Sequence, residues 1–205
     1  MQTTRLGRTG LHVTRTAFGA LPIQRVDAQT ATRLLRHAAD AGINFFDTAR
    51  GYSDSEEKLG QAFAGRRDGI FLATKSFAKD RAGLLSDLET SLGNLQTECV
   101  DLLQLHNPKE LPDPDDPESS YAGLREAQAQ GKVRFSGITS HRLPVARAAV
   151  DSGLFDTLQF PLNALSSADD LALVELCRDR DVGLIAMKAM CGGLLANARA
   201  AFAFL

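Results

Sequence analysis

The chain has 205 residues, with 23 Lys and Arg against 25 Asp and Glu, which gives a formal net charge of −2. Hydrophobic residues make up 44 % and charged residues 23 % of the chain, as in an ordinary folded domain. This near-neutral balance argues against nucleic acid or an anionic membrane surface as the main partner. No apolar stretch reaches the ~20 residues of a membrane span, and the N-terminal segment lacks the apolar core of a signal peptide.

The three cysteines are Cys99, Cys177 and Cys191, an odd number at wide spacing. They fit neither a disulfide framework nor a metal-binding cluster, so we predict a reducing, cytoplasmic location and no metal site. The length predicts one domain over residues 1–205, and a chain of this size buries roughly 70 % of its unfolded surface. The oligomeric state stays open.

Seven short apolar runs alternate along the chain with helical patterns. The runs are mostly apolar, as expected of strands that are covered on both faces. The predicted strands are Thr16–Leu21, Asn44–Thr48, Ile70–Lys75, Val100–His106, Val133–Thr139, Thr157–Leu162 and Gly183–Lys188. The predicted helices cover residues 28–41, 55–64, 81–95, 119–130, 142–152 and 168–180. Seven strands with six crossovers predict a parallel α/β protein.

Several residues mark the ends of these helices. Asp27 and Ser167 are predicted N-caps, and Asp170 stands three residues after Ser167, as in a capping box. Gly42 and Gly131 are predicted C-terminal stops.

Two features favour a parallel (β/α)8 TIM barrel over a doubly wound sheet. The turn after the first strand, residues 20–24, lacks the Gly-rich sequence of a nucleotide-binding doubly wound domain. The units also follow one another without a linker. The opening residues, with a turn at Thr9-Gly10, predict a small hairpin at the barrel floor. The Pro-rich acidic segment Lys109–Ser120 is interpreted as a solvated surface loop rather than an acidic docking segment.

Four chemically active side chains follow consecutive predicted strands. Asp47 ends the second strand, Tyr52 lies in the loop after it, Lys75 ends the third strand, and His106 ends the fourth. Active sites of such barrels lie at the carboxyl ends of the strands. Each residue alone has an ordinary structural explanation, as a cap, a solvated charge or a buried histidine. Together they predict a site in which neighbouring charges adjust the pKa of a proton donor.

These residues belong to longer motifs that resemble those of the aldo-keto reductases over essentially the whole chain. The motifs are Leu6-Gly7-x-Thr9-Gly10-Leu11-x-Val13, Asp47-Thr48-Ala49-x-x-Tyr52-x-x-Ser55-Glu56-x-x-Leu59-Gly60, Ala73-Thr74-Lys75, Asp101-Leu102-x-x-x-His106 and residues 131–140. Met187-Lys188-x-Met190-x-Gly192-Gly193 is similar to a bacterial branch of that family. Some members of the branch carry an iron–sulfur module further on, but no clustered cysteines indicate one here.

The resemblance implies reversible hydride transfer between NADPH and a small aldehyde or ketone. In that scheme Tyr52 is the proton donor, and His106 orients and polarises the carbonyl group. Lys75 is expected to lower the pKa of Tyr52 from its free value near 10, since a nearby cation stabilises the phenolate. Asp47 would hold the ammonium of Lys75 by a charge-assisted hydrogen bond.

The resemblance also implies a set of residues that hold the nicotinamide of NADPH (NADP+). Thr139, Ser140 and Gln159 stand where the family binds the carboxamide, with Ser140 where an Asn is common. Met187 stands in place of the stacking aromatic, and a thioether also packs against a flat ring. Asn163 follows the sixth strand as in the family, although a simple turn role explains it equally well.

The last residues, Ala200–Leu205, predict the first turns of a seventh helix, and no eighth strand follows. The chain is therefore interpreted as C-terminally incomplete, either a piece of a longer protein or a natural short form. The first and seventh strands would be unpaired edges, so residues 1–205 alone are not expected to form a stable NADPH-binding monomer.

Two other functions stay open from the sequence. The barrel could be a non-catalytic scaffold or regulatory subunit, since fold does not determine function. It could also be an aldolase that uses Lys75 to form a Schiff base. The identity of the substrate and the preference for NADPH over NADH cannot be derived from these residues.

Overall fold

A computed structural model describes residues 1–205 and contains a two-stranded and a seven-stranded sheet. The strands are β1 (Thr3–Arg5), β2 (His12–Thr14), β3 (Phe18–Gly19), β4 (Phe45–Asp47), β5 (Phe71–Ser76), β6 (Val100–His106), β7 (Val133–Thr139), β8 (Thr157–Pro161) and β9 (Gly183–Met187). The helices are α1 (Ala28–Asp40), α2 (Ser55–Phe63), α3 (Arg81–Leu95), α4 (Ser120–Ala129), α5 (Leu143–Ser152), α6 (Ala168–Asp179) and α7 (Ala198–Phe204).

The large sheet has the strand order β3-β4-β5-β6-β7-β8-β9, which follows the chain. Its registered pairs are parallel: β3 with β4, β4 with β5, β5 with β6, β7 with β8, and β8 with β9. Helices alternate with these strands, so the predicted α/β class with seven parallel strands is confirmed. Strands β3 and β9 stand at the two ends of the order, and each has one neighbour.

The main difference from the predicted bounds is at the first strand of the large sheet. Thr16–Leu21 is predicted, but β3 contains only two residues. Leu21 begins a short 3-10 helix with Pro22 in its first turn, and proline has no N–H for a strand ladder. At the other end, the carbonyl of Thr16 accepts a hydrogen bond from Thr14 Oγ1. Both ends of the predicted strand are therefore bent into local turns.

The predicted helix ends are confirmed. Asp27 accepts a hydrogen bond from the Thr30 N–H, and Ser167 and Asp170 form the reciprocal capping box. Gly42 and Gly131 follow α1 and α4 with φ of 99° and 73°, in the left-handed region where glycine is favoured.

One compact unit comprises residues 1–4, 12–106 and 112–136. It contains β3–β6 and α1–α4, and the apolar stripe of α3 is buried in its core: Leu84, Leu88, Leu92 and Leu95. Segment 113–118 is exposed, as predicted for a solvated loop, and it ends at Ser119, which caps α4 by accepting from the Ala122 N–H.

Helices α2 and α3 approach each other closely at Gly60. A Cβ at this position would lie 2.2 Å from the carbonyl oxygen of Asn94, which is a backbone atom and cannot move aside alone. We expect Gly60→Ala to lower the free energy of unfolding by about 1–3 kcal/mol, measured by denaturant titration. Gly93→Ala on α3 is the matched control, because a Cβ there meets nothing within 4 Å. The control should raise stability by up to ~1 kcal/mol, and equal effects of the two changes would contradict the close approach.

A second compact unit comprises residues 5–11, 107–111 and 137–205, with β8, β9 and α5–α7. Its N-terminal turn is fastened to the start of β9: Arg8 N–H donates to the Asp181 carbonyl, and a Cβ at Gly7 would lie 2.1 Å from Gly183 N. The predicted terminal helix is confirmed as α7, and Phe202 and Phe204 on it are exposed. None of the seven helices has the length and apolar character needed to cross a membrane.

Candidate active site

A buried ion pair lies at the carboxyl ends of β4 and β5. Lys75 is 2 % exposed, and its Nζ lies 2.6 Å from Asp47 Oδ2 and 2.6 Å from the carbonyl oxygen of Thr48. Asp47 and Lys75 lie close together because the parallel register of β4 and β5 aligns the carboxyl ends of the two strands. A buried ammonium needs such partners, since an unpaired charge in the interior is costly.

Tyr52 lies in the loop between β4 and α2, above this ion pair. Lys75 Nζ is 5.2 Å from the centroid of the Tyr52 ring. The loop is fastened at both ends, since Arg50 N–H donates to the Lys75 carbonyl and the hydroxyls of Thr48 and Ser55 share a hydrogen bond of 2.8 Å. These contacts hold the phenol close to the charged pair.

His106 ends β6 beside the phenol. Its ring meets the Tyr52 ring edge-on, with centroids 5.8 Å apart. On another side it stacks on Phe77, with centroids 3.9 Å apart and an interplanar angle of 14°. The structure therefore brings together all four residues that were predicted at the strand ends.

The structure contradicts the predicted direction of the pKa shift at Tyr52. Burial, and then the negative charge of Asp47, raise the pKa of Tyr52 to about 12 instead of lowering it. The prediction was wrong because it left out the burial of the phenol, which is the larger cause, and the charge of Asp47, to which the Lys75 ammonium is hydrogen-bonded. Burial lowers the pKa of Lys75, and Asp47 opposes that shift. Tyr52 is consequently a neutral phenol at pH 7 and still carries its proton.

Three residues of this region were not predicted from the sequence. Phe77, 58 % exposed, covers His106, and Gly51 makes room for it, since a Cβ there would lie 2.6 Å from Phe77 Cε2. Gln104 on β6 donates from Nε2 to Asp47 Oδ1 at 3.0 Å. In the sequence, Phe77 could have been found as an aromatic residue directly after a strand, and Gln104 as an amide inside an otherwise apolar strand.

Glu56 is a buried carboxylate on α2 behind the Tyr52 loop. It accepts hydrogen bonds from Thr74 Oγ1 at 2.6 Å and Asn94 Nδ2 at 3.2 Å, and Arg50 Nη1 lies 3.8 Å away. It therefore ties α2 to β5, to α3 and to the loop that carries Tyr52.

The residues predicted to bind the cofactor lie in the second unit, near the ends of β7–β9. Thr139 is paired in register with Gln159, and the Ser140 N–H donates to the Gln159 carbonyl. Met187 ends β9, where its carbonyl accepts from the Leu162 N–H. The structure thus places these four residues on, or directly after, the neighbouring strands β7, β8 and β9.

The chemistry of this set fits a nicotinamide dinucleotide. A carboxamide both donates and accepts hydrogen bonds, and the Thr139 hydroxyl and the Gln159 amide provide complementary groups. Burial, followed by the charges of Lys188 and Arg142, lowers the pKa of His141 in the same unit.

Asn163 has a role in the local backbone. Its Oδ1 accepts from the Leu165 N–H, and its Nδ2 donates to the Lys188 carbonyl. The first contact is that of a turn residue, and the second joins this turn to the residue that follows β9.

Comparison with known proteins agrees with this fold. A model of the Aldo/keto reductase family matches residues 15–201, so the chain belongs to that family. Among curated relatives, the aldo-keto reductase YhdN of Bacillus subtilis is 28 % identical over 95 % of the chain, and the uncharacterized oxidoreductase YrpG of the same organism is 31 % identical over 95 %.

Solved structures show the same fold. An aldo-keto reductase AKR11C1 from Bacillus halodurans, in its holo form, matches 95 % of the chain with a TM-score of 0.82 and 27 % identity. An aldo/keto reductase from Klebsiella pneumoniae in complex with NADP and acetate matches 96 % with a TM-score of 0.83 and 25 % identity. The chain spans 64 % of YhdN, 68 % of YrpG, 68 % of the Bacillus halodurans chain and 71 % of the Klebsiella chain.

Proposed function

We propose that this protein is an NADPH-dependent oxidoreductase that reduces a small aldehyde or ketone to an alcohol. The observation that carries the proposal is the buried pair of Lys75 and Asp47 beneath the protonated phenol of Tyr52. A phenol at the edge of a buried ion pair, with an imidazole beside it, is suited to give a proton to a carbonyl oxygen.

Each residue of this site has a distinct role in the proposal. Tyr52 holds its proton at neutral pH and transfers it to the carbonyl oxygen of the substrate. The ammonium of Lys75, 5.2 Å from the ring centroid, is the positive charge next to the phenolate that remains. Asp47 keeps Lys75 charged and in place, and His106 orients the carbonyl group through a ring nitrogen.

We propose that Thr139, Ser140, Gln159 and Met187 hold the nicotinamide. The bound cofactor supplies the hydride that the carbonyl carbon receives. Klebsiella pneumoniae structures that this chain resembles are described as complexes with NADP and with NADPH, which supports the choice of the phosphorylated cofactor. We also propose one family domain over residues 1–205 and a cytoplasmic location, which three free cysteines favour.

The environment of Lys75 favours reduction over Schiff-base chemistry. A Schiff base requires a neutral amine that can reach the substrate carbonyl. Lys75 is buried, and its Nζ donates to both Asp47 and the Thr48 carbonyl. Its contacts are those of a fixed ammonium.

Cofactor binding and turnover together test the proposal. We expect the purified protein, expressed from its complete gene, to quench NADPH fluorescence and to oxidise NADPH when a panel of aromatic aldehydes and small ketones is added. Cofactor binding without turnover across the panel would favour the scaffold function instead. Trapping of a covalent adduct by borohydride in the presence of a ketone, lost in Lys75→Met, would favour an aldolase. Absence of both binding and turnover would contradict the proposal.

A further inference from the structure

A polar side chain lies inside β6 next to the ion pair. Gln104 is 0 % exposed, and its neighbours Leu102, Leu103 and Leu105 are apolar and buried. Its Cα is the register partner of Lys75 on β5. Gln104 Nε2 lies 3.0 Å from Asp47 Oδ1, and Lys75 Nζ lies 2.6 Å from Asp47 Oδ2. The two oxygens of one carboxylate are thus held by donors from two adjacent strands.

The orientation of the Gln104 amide follows from chemistry. Turning the amide over would place its oxygen against the carboxylate of Asp47, which is repulsive, so Nε2 must face Asp47. The other atom, Oε1, is then buried without a hydrogen-bond partner. Leaving a buried acceptor unsatisfied destabilises a fold, whereas a leucine here would extend the apolar strand without that cost. Gln104 is therefore explained better by its contact with Asp47 than by packing.

We propose that Gln104 is a positioning residue for the carbonyl reduction, which orients the Asp47 carboxylate so that Asp47 holds Lys75 beneath Tyr52. This inference rests on the proposed function. Gln104 acts through Asp47 and is not assigned any contact with the substrate.

The charged and titratable groups around Asp47 determine how a change at position 104 acts. Lys75 faces Asp47 from β5, Tyr52 lies above the pair in the β4–α2 loop, and His106 ends β6 two residues beyond Gln104. In Gln104→Glu a second carboxyl group lies beside Asp47. Two carboxyl groups at this distance do not both ionise readily, so the introduced group binds a proton at neutral pH more readily than an exposed one. While protonated, it can donate to Asp47 Oδ1 as the amide does.

The test compares four variants over a pH range, with kcat, KM and melting temperature as readouts. Gln104→Leu and Gln104→Met remove the hydrogen-bond donor to Asp47. In Gln104→Glu the side chain donates only while it is protonated, so the hydrogen bond depends on pH. Gln61→Glu on the exposed face of α2 is the control for the added charge. For the two apolar variants we expect a loss of kcat of about tenfold to a hundredfold at every pH, with KM unchanged. The control should match the wild type.

For Gln104→Glu we expect kcat near the wild-type value at acidic pH and a loss as the pH rises. Its melting temperature relative to the wild type should fall over the same range, because the folded state binds a proton that the unfolded state has released. If Gln104→Glu keeps the wild-type pH profile, or if kcat of the two apolar variants is unaffected, the positioning role is wrong. If the wild type shows no turnover at all, the proposed function is overturned. The melting temperatures of Gln104→Glu then still test the contact between residue 104 and Asp47. A melting temperature that falls below that of the wild type as the pH rises supports the contact, and a difference that is constant with pH refutes it.

Discussion

Replacing Tyr52 with Phe is expected to remove nearly all carbonyl reduction while NADPH binding is retained. The substitution deletes one hydroxyl group and keeps the ring near Lys75, so the proton donor is lost with little change in packing. General acids typically contribute ~10²–10⁴ in rate, and we expect kcat/KM to fall by about that factor. The measurement is steady-state NADPH oxidation, with fluorescence quenching as the readout of cofactor binding.

Tyr121→Phe is the matched control, because Tyr121 on α4 is the only other tyrosine. It should leave turnover unchanged. The chain has no tryptophan, so in this variant the ultraviolet absorbance of tyrosinate reports Tyr52 alone. We expect its midpoint at about pH 12, where burial and Asp47 place the pKa. A midpoint below 10, or full turnover by Tyr52→Phe, would contradict the assignment of Tyr52 as a donor that is protonated at neutral pH.

The Lys75→Met substitution is expected to reduce both activity and stability. It keeps much of the side-chain stem but deletes the ammonium, so Asp47 remains as a largely buried carboxylate without its cation. Removing one member of a buried ion pair costs about 3–5 kcal/mol, which denaturant titration at neutral pH will measure. The phenolate of Tyr52 also loses the nearest cation, and kcat should fall with the stability.

A double variant separates the two effects of Lys75. Adding Asp47→Asn to Lys75→Met removes the unpaired charge, so part of the lost stability should return while activity stays low. If Lys75→Met alone leaves the free energy of unfolding unchanged, another group must compensate the negative charge of Asp47.

Local sequence patterns were sufficient for most of the secondary structure. The bounds of β6, β7 and α3 agree with prediction, and the caps at Asp27 and Ser167 form as expected. These elements depend on apolar periodicity and on side chains that bond to the backbone within a few residues. The strand predicted at Thr16–Leu21 is shorter in the structure, because its last residue begins the 3-10 helix that contains Pro22 and the carbonyl of Thr16 accepts from the Thr14 hydroxyl.

The candidate site was predictable in part because parallel strands align their carboxyl ends. Strand ends alone therefore brought Asp47, Lys75 and His106 together with Tyr52 in the adjoining loop. The direction of the Tyr52 pKa was not predictable in this way. The pKa of Tyr52 depends on how far the phenol is buried and on whether Lys75 is hydrogen-bonded to Asp47. Both follow from distances in the folded protein.

The sequence by itself determined the family, the order of strands and helices, and the four residues at the strand ends, because each of these follows from local pattern or motif. Only the tertiary structure decided which donors hold the Asp47 carboxylate, that Phe77 covers His106, and that Tyr52 keeps its proton at neutral pH. Contacts between side chains far apart in the chain leave no periodic signal, and pKa shifts depend on burial and charge distances that exist only in the folded protein.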